Sequence, residues 1–350
     1  MVFAEQIFME EFIGKFLEHQ HTSVLLAIVA VSIYILMKGA DLLVREVIIL
    51  SRHLGVPSFL IGATIVSLGT TFPEAAVSVF AAVQGKPDLA LGNAVGSIIC
   101  DTGLILGIAT LISPPRLPSS IVNRQGWIQL GVGFLLVLSA IPYANLRGIP
   151  VNGGRLPQTI GFVFLILLVI YLYLSIRWAR RIRSENENES DVTGSNFSTA
   201  GILVKLVLGI ILVVVSSQIL IPAAEECAIR FNVPDSVIAT TIVAFGTSLP
   251  ELVTAITAVR RGHGELAVGN IIGADILNVL FVAGSAAAVT RNGLFAPPLF
   301  FYYLFPAMLF ILIVFRVGIL VSGDRLNRGF GMILLSAYLV ITFIQIQIER

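Results

Sequence analysis

Apolar residues run unbroken for about 20 positions at a time along nearly the whole chain, with polar positions gathered in short clusters between the runs. A run of about 20 residues crosses roughly 30 Å of hydrocarbon as a helix, whereas a soluble core needs apolar positions recurring at a period of 2 or 3.6. The pattern predicts ten spans: near 22–50, 57–84, 88–112, 126–145 and 158–178, then 201–222, 234–261, 265–290, 297–316 and 329–347. Residues 179–200, rich in Asn, Glu and Ser, have no apolar period and too little hydrophobicity to fold alone, so they read as a linker. Ahead of the first span, Phe3, Ile7, Phe8, Phe12, Ile13 and Phe16 recur at roughly helical spacing, and residues 1–21 read as an amphipathic extension on the membrane surface. The expected fold class is all-α integral membrane, with five spans in 22–178, a linker in 179–200 and five more spans in 201–350.

Composition agrees: 56% of the 350 residues are hydrophobic, 12% are charged, and the mean hydropathy is +0.94. A water-soluble globule is excluded. A net charge of +1, from 22 basic and 21 acidic residues, also excludes a nucleic-acid binder held by its overall field. Placement of the charges is more informative. Arg177, Arg180, Arg181 and Arg183 put the linker on the cytoplasmic side of a cell inner (plasma) membrane, since positive loops stay inside. Five spans on either side then place both termini outside. The other inside connections carry Arg52, Arg116, Arg124, Arg260, Arg261, Arg325 and Arg328, against Lys86, Arg147, Arg155, Arg230 and Arg291 outside. Cys100 and Cys227 are too few for a disulfide framework and read as packing residues.

Sliding the sequence on itself by 177 residues lays 62–111 over 239–288 without a gap, with about 17 of 50 positions identical. Thr64-Ile-Val-Ser-Leu-Gly-Thr-Thr-Phe-Pro-Glu74 falls on Thr241-Ile-Val-Ala-Phe-Gly-Thr-Ser-Leu-Pro-Glu251, and Gly92-Asn-Ala-Val-Gly-Ser97 on Gly269-Asn-Ile-Ile-Gly-Ala274. Two copies of one unit with an odd number of spans must enter the bilayer in opposite senses. Ten helices as two inverted five-helix repeats, with interrupted helices, is the architecture of many secondary transporters, whose site lies near the midplane.

The interruptions carry the chemistry. Gly69 with Pro73, and Gly246 with Pro250, should break their helices in mid-span. A break frees backbone carbonyls, with Ser67 and Ala244 the expected ones, and such carbonyls are tolerated at membrane depth only if something satisfies them. Thr70, Thr71, Thr247 and Ser248 add hydroxyls, and Glu74 and Glu251 add charge. Ser97 and Asp101 share one helical face, and their equivalents are Ala274 and Asn278. A charged residue at a helix centre in the membrane costs at least about 2.5–3.5 kcal/mol, so Glu74, Asp101 and Glu251 are expensive as mere structure. Three carboxylates and an amide suit one divalent cation with several oxygens, as calcium prefers, or monovalent ions helped by carbonyls and hydroxyls. The paired glycines, 92 and 96 and then 269 and 273, permit close approach of each broken helix to its partner. Asp41, Arg45 and Glu46 read as a helix-end ion-pair cluster, and Glu225 and Glu226 as a solvated helix end or a weak attractor of cations. The sequence has no P-loop, no paired-histidine zinc motif and no cofactor-binding motif, so transport would draw on an ion gradient.

At these residues the chain resembles the cation/calcium exchanger superfamily, and within it the prokaryotic sodium/calcium exchangers. The paired G-T-[ST]-x-P-E motifs at Gly69–Glu74 and Gly246–Glu251 carry the likeness, with the G-N-x-x-G-[SA] motifs at Gly92–Ser97 and Gly269–Ala274. The resemblance implies antiport of calcium against sodium by alternating access, with a pair of spans sliding against a core bundle. It also implies a site built from Glu74 and Glu251, the neighbouring hydroxyls and carbonyls, and Asp101 and Asn278, four positions after the [SA]. This chain departs from the usual pattern in three places. The family commonly has Asn then Asp where this chain has Asp101 then Asn278, serine where it has Ala274, and Asn where it has Asp275. A proton-driven calcium or cation antiporter on the same fold is the alternative reading. A channel fits less well, because the carboxylates cluster at one depth instead of lining a pore.

Overall fold

The computed structural model of the protein describes residues 16–348 apart from 18, 118, 187–198, 232–246 and 324. Its long helices are α1 (Thr22–Leu54), α2 (Ser58–Thr70), α3 (Phe72–Val83), α4 (Pro87–Ile112), α5 (Ser119–Ala140) and α6 (Gln158–Asn186). They continue with α7 (Thr199–Arg230), α8 (Leu249–Arg260), α9 (Gly264–Val289), α10 (Phe300–Ser322) and α11 (Arg328–Ile348). Among the described residues eight helices are long and apolar enough to cross a membrane, and the count is nine if α2 and α3, bent by 42° between them, are taken as one broken span. The expected span at 234–261 is described only from 247 onward, as a turn followed by α8. Residues 1–15 of the expected amphipathic extension, most of the linker, and Ala244 and Gly246 lie outside the described residues. Of the extension's end, Leu17 is buried against Leu25, Ala223 and Cys227.

Local chemistry sets the boundaries. Gly55, at φ 63°, takes the left-handed conformation that ends α1, and Pro57 then caps α2. The fourth span corrects the expected 126–145: α5 starts at Ser119 and stops at Ala140, two residues before Pro142. The polar run Asn123-Arg124-Gln125 therefore lies within the helix. It is accommodated because Arg124 stacks on the Trp178 ring at 3.7 Å and Asn123 accepts a hydrogen bond from Arg316 at 3.0 Å. Two short strands, β1 (Gly154–Leu156) and β2 (Leu294–Ala296), pair antiparallel and tie the α5–α6 connection to the α9–α10 connection, a departure from the all-α expectation. Apolar run length says nothing about such a pairing of connections.

The helices sort by burial. In α9, 94% of the apolar window is buried inside the protein and in α4 78%, against 28% in both α1 and α7. Thus α4 and α9 form the centre, and α1 and α7 form a pair at the periphery with exposed apolar side chains such as Tyr34 and Val204. That pair is tight: a Cβ on Gly39 would lie 2.8 Å from Leu212 Cβ, and one on Gly209 2.9 Å from the Leu43 amide. Asp41 and Arg261, 2.7 Å apart, join α1 to the end of α8, while Arg45 pairs with the buried Glu46 at 3.1 Å. Cys100 and Cys227 are free and buried, as packing residues should be.

Candidate functional site

The two motifs act by ending one helix and starting another. α2 stops at Thr70, and α3 restarts with Phe72, Pro73 and Glu74. Proline is tolerated in a first turn because its missing amide would have no intrahelical partner there. The restart leaves Glu74 in the first turn of α3, where the positive end of the helix favours a carboxylate, and Glu251 occupies the same place in α8 behind Ser248 and Pro250. The Ser67 carbonyl is not released by this break: it accepts the Thr71 amide at 2.8 Å. The amide that Pro73 lacks is the one four residues beyond Gly69, so the gap in the ladder falls at Gly69.

Asp101 and Asn278 are placed by a device that apolar periodicity does not reveal. Each lies at the start of a π-helical turn, Cys100–Ile105 in α4 and Asn278–Ala283 in α9. Such widened turns occur frequently at functional sites. A third π turn, Gly62–Val66, precedes the first motif. Close approach at the centre depends on the glycines of α9. A Cβ on Gly273 would lie 2.6 Å from Ala63 Cα and from Ser67 Oγ, and Gly269 abuts Phe59. Among the described residues these glycines therefore seat the broken helix of the other repeat copy. No described atom lies within 4 Å of the corresponding point on Gly96.

The structure gathers the predicted carboxylates. Glu74 feels the charges of both Glu251 and Asp101, and Asp101 feels Glu251 in turn. Hydroxyls of each copy lie beside carboxylates of the other: Thr70 is near Glu251, and Ser248 is near Asp101. Thr70 Oγ1 also lies 3.2 Å from the Val66 carbonyl of its own helix. Glu74, Asp101, Glu251, Asn278, Thr70, Thr71, Ser67, Ser97 and Ser248 are all at most 4% exposed. Thr247 is only half-buried, and it lines a cavity of about 260 Å³ with Pro73, Pro250, Gln218 and Glu225.

Five of the buried oxygens have no hydrogen-bond donor: Thr71 Oγ1, Glu74 Oε2, Asp101 Oδ1, Glu251 Oε2 and Asn278 Oδ1. Buried polar atoms are normally paired, and carboxylates all the more so. Four of these are pure acceptors and the fifth is a hydroxyl that can turn its proton away, a set suited to a cation. Among the described residues no three His, Cys, Asp or Glu side chains converge closely enough to hold a metal ion by themselves. Hydroxyl, amide and carbonyl oxygens must therefore share the load, which is the mixed oxygen set that hard cations accept.

Other polar side chains near the site were less legible in sequence. Asn93 donates to Ser78 Oγ at 2.9 Å and to the Glu74 carbonyl at 3.4 Å, fixing α3 on α4. Its place in the shared Gly-Asn motif was the available signal. Asp275 is bound by side chains and not by backbone: it accepts from Thr102, and from Gln129 at 2.5 Å. Gln129, a lone amide in an apolar run, was its signal.

Comparison with known proteins places the chain in a family. The chain is 32% identical over 321 residues to the inner membrane protein YrbG of Escherichia coli, covering 90% of this chain and 94% of that one. It is 29% identical over 348 residues to the sodium/calcium exchanger MaX1 of Methanosarcina acetivorans, covering 90% and 97%. Among solved structures, the sodium-calcium exchanger NCX_Mj soaked with zero Na+ and Ca2+ matches with a TM-score of 0.75 at 27% identity, covering 91% of this chain and 98% of that one. The family described as sodium/calcium exchanger protein matches residues 24–177 and 201–347. The chain is thus a multi-pass membrane antiporter and no enzyme, and it belongs to the sodium/calcium exchanger protein family.

Proposed function

We propose that this chain moves calcium in one direction and sodium in the other by alternating access at the buried site between α3, α4, α8 and α9. The observation that carries the reading is the set of five donorless oxygens on both motif copies, Thr71, Glu74, Asp101, Glu251 and Asn278. In this reading Glu74 and Glu251 form the central calcium pair, Asp101 assists, and Thr70, Thr71, Ser97, Thr247 and Ser248 flank them as sodium ligands, with Asn278 as the amide partner. Calcium and sodium compete for the same carboxylates, so neither leaves until the other replaces its charge, and that competition is the coupling. An empty site holds like charges in a dry environment and crosses slowly. The two halves are read as inverted repeats, 22–178 and 201–350, with the linker cytoplasmic and both termini outside. Matching features support this: α3 and α8 both carry a proline in their first turn, and both central helices carry a π turn.

The test is uptake into vesicles containing the purified protein. Sodium-loaded vesicles diluted into sodium-free calcium medium should take up calcium, and Glu251→Gln should not. Uptake that ignores sodium and follows an imposed pH gradient would replace sodium with protons as the driving ion. Undiminished uptake by Glu251→Gln would remove the site.

A further inference from the structure

The repeat gives Asp101 its place in the sequence but not its aim. Asp101 Oδ1 has no donor, so no hydrogen bond steers that oxygen, and its direction follows from how the surrounding turn is held. That turn is π-helical, Cys100–Ile105, and the next residue, Thr102, is fully buried within it. A threonine inside a helix ordinarily bonds a carbonyl three or four residues back, as Thr64, Thr70 and Thr290 do here. Thr102 instead donates across to Asp275 Oδ2 on α9. Gln129 Nε2 on α5 donates to the same Oδ2 at 2.5 Å and to Thr102 Oγ1 at 3.3 Å.

Three hydrogen bonds thus close a ring among side chains that are at most 2% exposed, and the ring ties α4, α5 and α9 together. The hydroxyl's one proton and the amide's two are all engaged. Asp275 Oδ1 has no donor, so among the described residues Thr102 and Gln129 supply the whole hold on this carboxylate. Under the 177-residue shift Asp275 falls on Ile98 and Thr102 on Val279, neither able to bond through its side chain, so the ring braces Asp101 and has no counterpart at Asn278. Pinning Thr102 fixes both the height and the rotation of α4, and Asp101 lies roughly 100° around the same helix. Partners one layer out commonly orient the ligands of a metal in this way. We infer that Gln129 is a positioning residue for transport: through Asp275 and Thr102 it holds the π turn of α4 and so aims Asp101 at the calcium ion. The inference rests on the calcium-site reading above. Asp275 enters it as a hydrogen-bond acceptor, a task that does not require its charge.

The test is the calcium dependence of uptake into sodium-loaded vesicles, measured over a range of external calcium for wild type and variants. Gln129→Leu removes both amide donors at similar volume. It should raise half-saturating calcium by about 10–100-fold and leave the maximal rate close to wild type, because the loss falls on binding. Thr102→Val breaks the ring from the other side while keeping the side-chain shape, and should shift half-saturation in the same direction. Asp275→Leu should reproduce Gln129→Leu, and the conservative Asp275→Asn, which keeps an acceptor for both donors, should restore the wild-type value. Adding Gln129→Leu to Asp101→Asn should raise half-saturation no further than Asp101→Asn alone, because the ring acts only through that carboxylate. Unchanged half-saturation in Gln129→Leu or in Thr102→Val, a shift in Asp275→Asn as large as in Asp275→Leu, or a fully additive loss in the double variant would overturn the inference. A wild type that exchanges calcium while the ring variants match it defeats the positioning role alone, whereas a wild type that exchanges nothing defeats the calcium reading itself.

Discussion

The central carboxylates differ from ordinary membrane-buried acids in having no donors on their free oxygens. Glu74 Oε2 and Glu251 Oε2 lie at 1–2% residue exposure with nothing to bond. If cargo supplies the missing partner, neutralising either residue should cut calcium transport severely while leaving the fold intact, because an amide is easier to bury than an unpaired charge. Glu74→Gln and Glu251→Gln should each lower calcium uptake by at least ~100-fold, beyond the 10–100-fold usual for residues that only orient a ligand. Uptake into vesicles matched for reconstituted protein checks this, with thermal unfolding showing the variants no less stable. These residues were legible in the sequence because a carboxylate after a Gly-to-Pro break in a long apolar run has few structural uses. Asp101 and Asn278 were legible as positions. The π turns that aim them were not, since a π turn is one extra residue in a helical ladder and leaves the apolar run unchanged. The expected release of the Ser67 carbonyl failed for a related reason: the bend begins after Thr71, whose amide still closes the turn on Ser67 at 2.8 Å.

The order and approximate bounds of the described helices were readable from run length. What run length missed is how helices meet. The glycines of α9 seat α2 of the other repeat copy, with the Gly273 position 2.6 Å from the Ala63 backbone. Neither side of that contact is flexible, so a single methyl group should force the central helices apart. Gly273→Ala is expected to destabilise by about 1–3 kcal/mol, the cost typical of overpacking a close-packed interior. Gly131→Ala on α5, with open space around it, should be neutral or slightly stabilising. Melting temperatures in detergent compare the two, and equal effects would mean that the α2–α9 contact is not tight. The fourth span was misjudged by several residues because Arg124 and Gln125 read as loop. The stacking of Arg124 on Trp178, across to α6, shows how the helix carries that arginine.

Across the whole molecule, α1 and α7 form a tight, mostly lipid-facing pair beside a buried centre built on α4 and α9. That division is what a sliding pair against a fixed bundle requires, and the cavity between α7 and the motif prolines, with Glu225 among its lining residues, lies along the boundary. Positive-inside placement predicts the orientation. The thiol introduced by Ser190→Cys, in the linker, should react with a membrane-impermeant maleimide only from the cytoplasmic face, and that of Val151→Cys, at an exposed position, only from the opposite face. Native Cys100 and Cys227 are buried and give low background. Labelling of both sites from one face would refute the five-plus-five arrangement. The central claim is that calcium crosses only in exchange for another cation at one shared site. Its most direct test is release of trapped radioactive calcium from protein-containing vesicles into media differing only in the external cation. The account predicts rapid release into sodium and negligible release into choline, while equal release into both would mean passage without exchange and would contradict it.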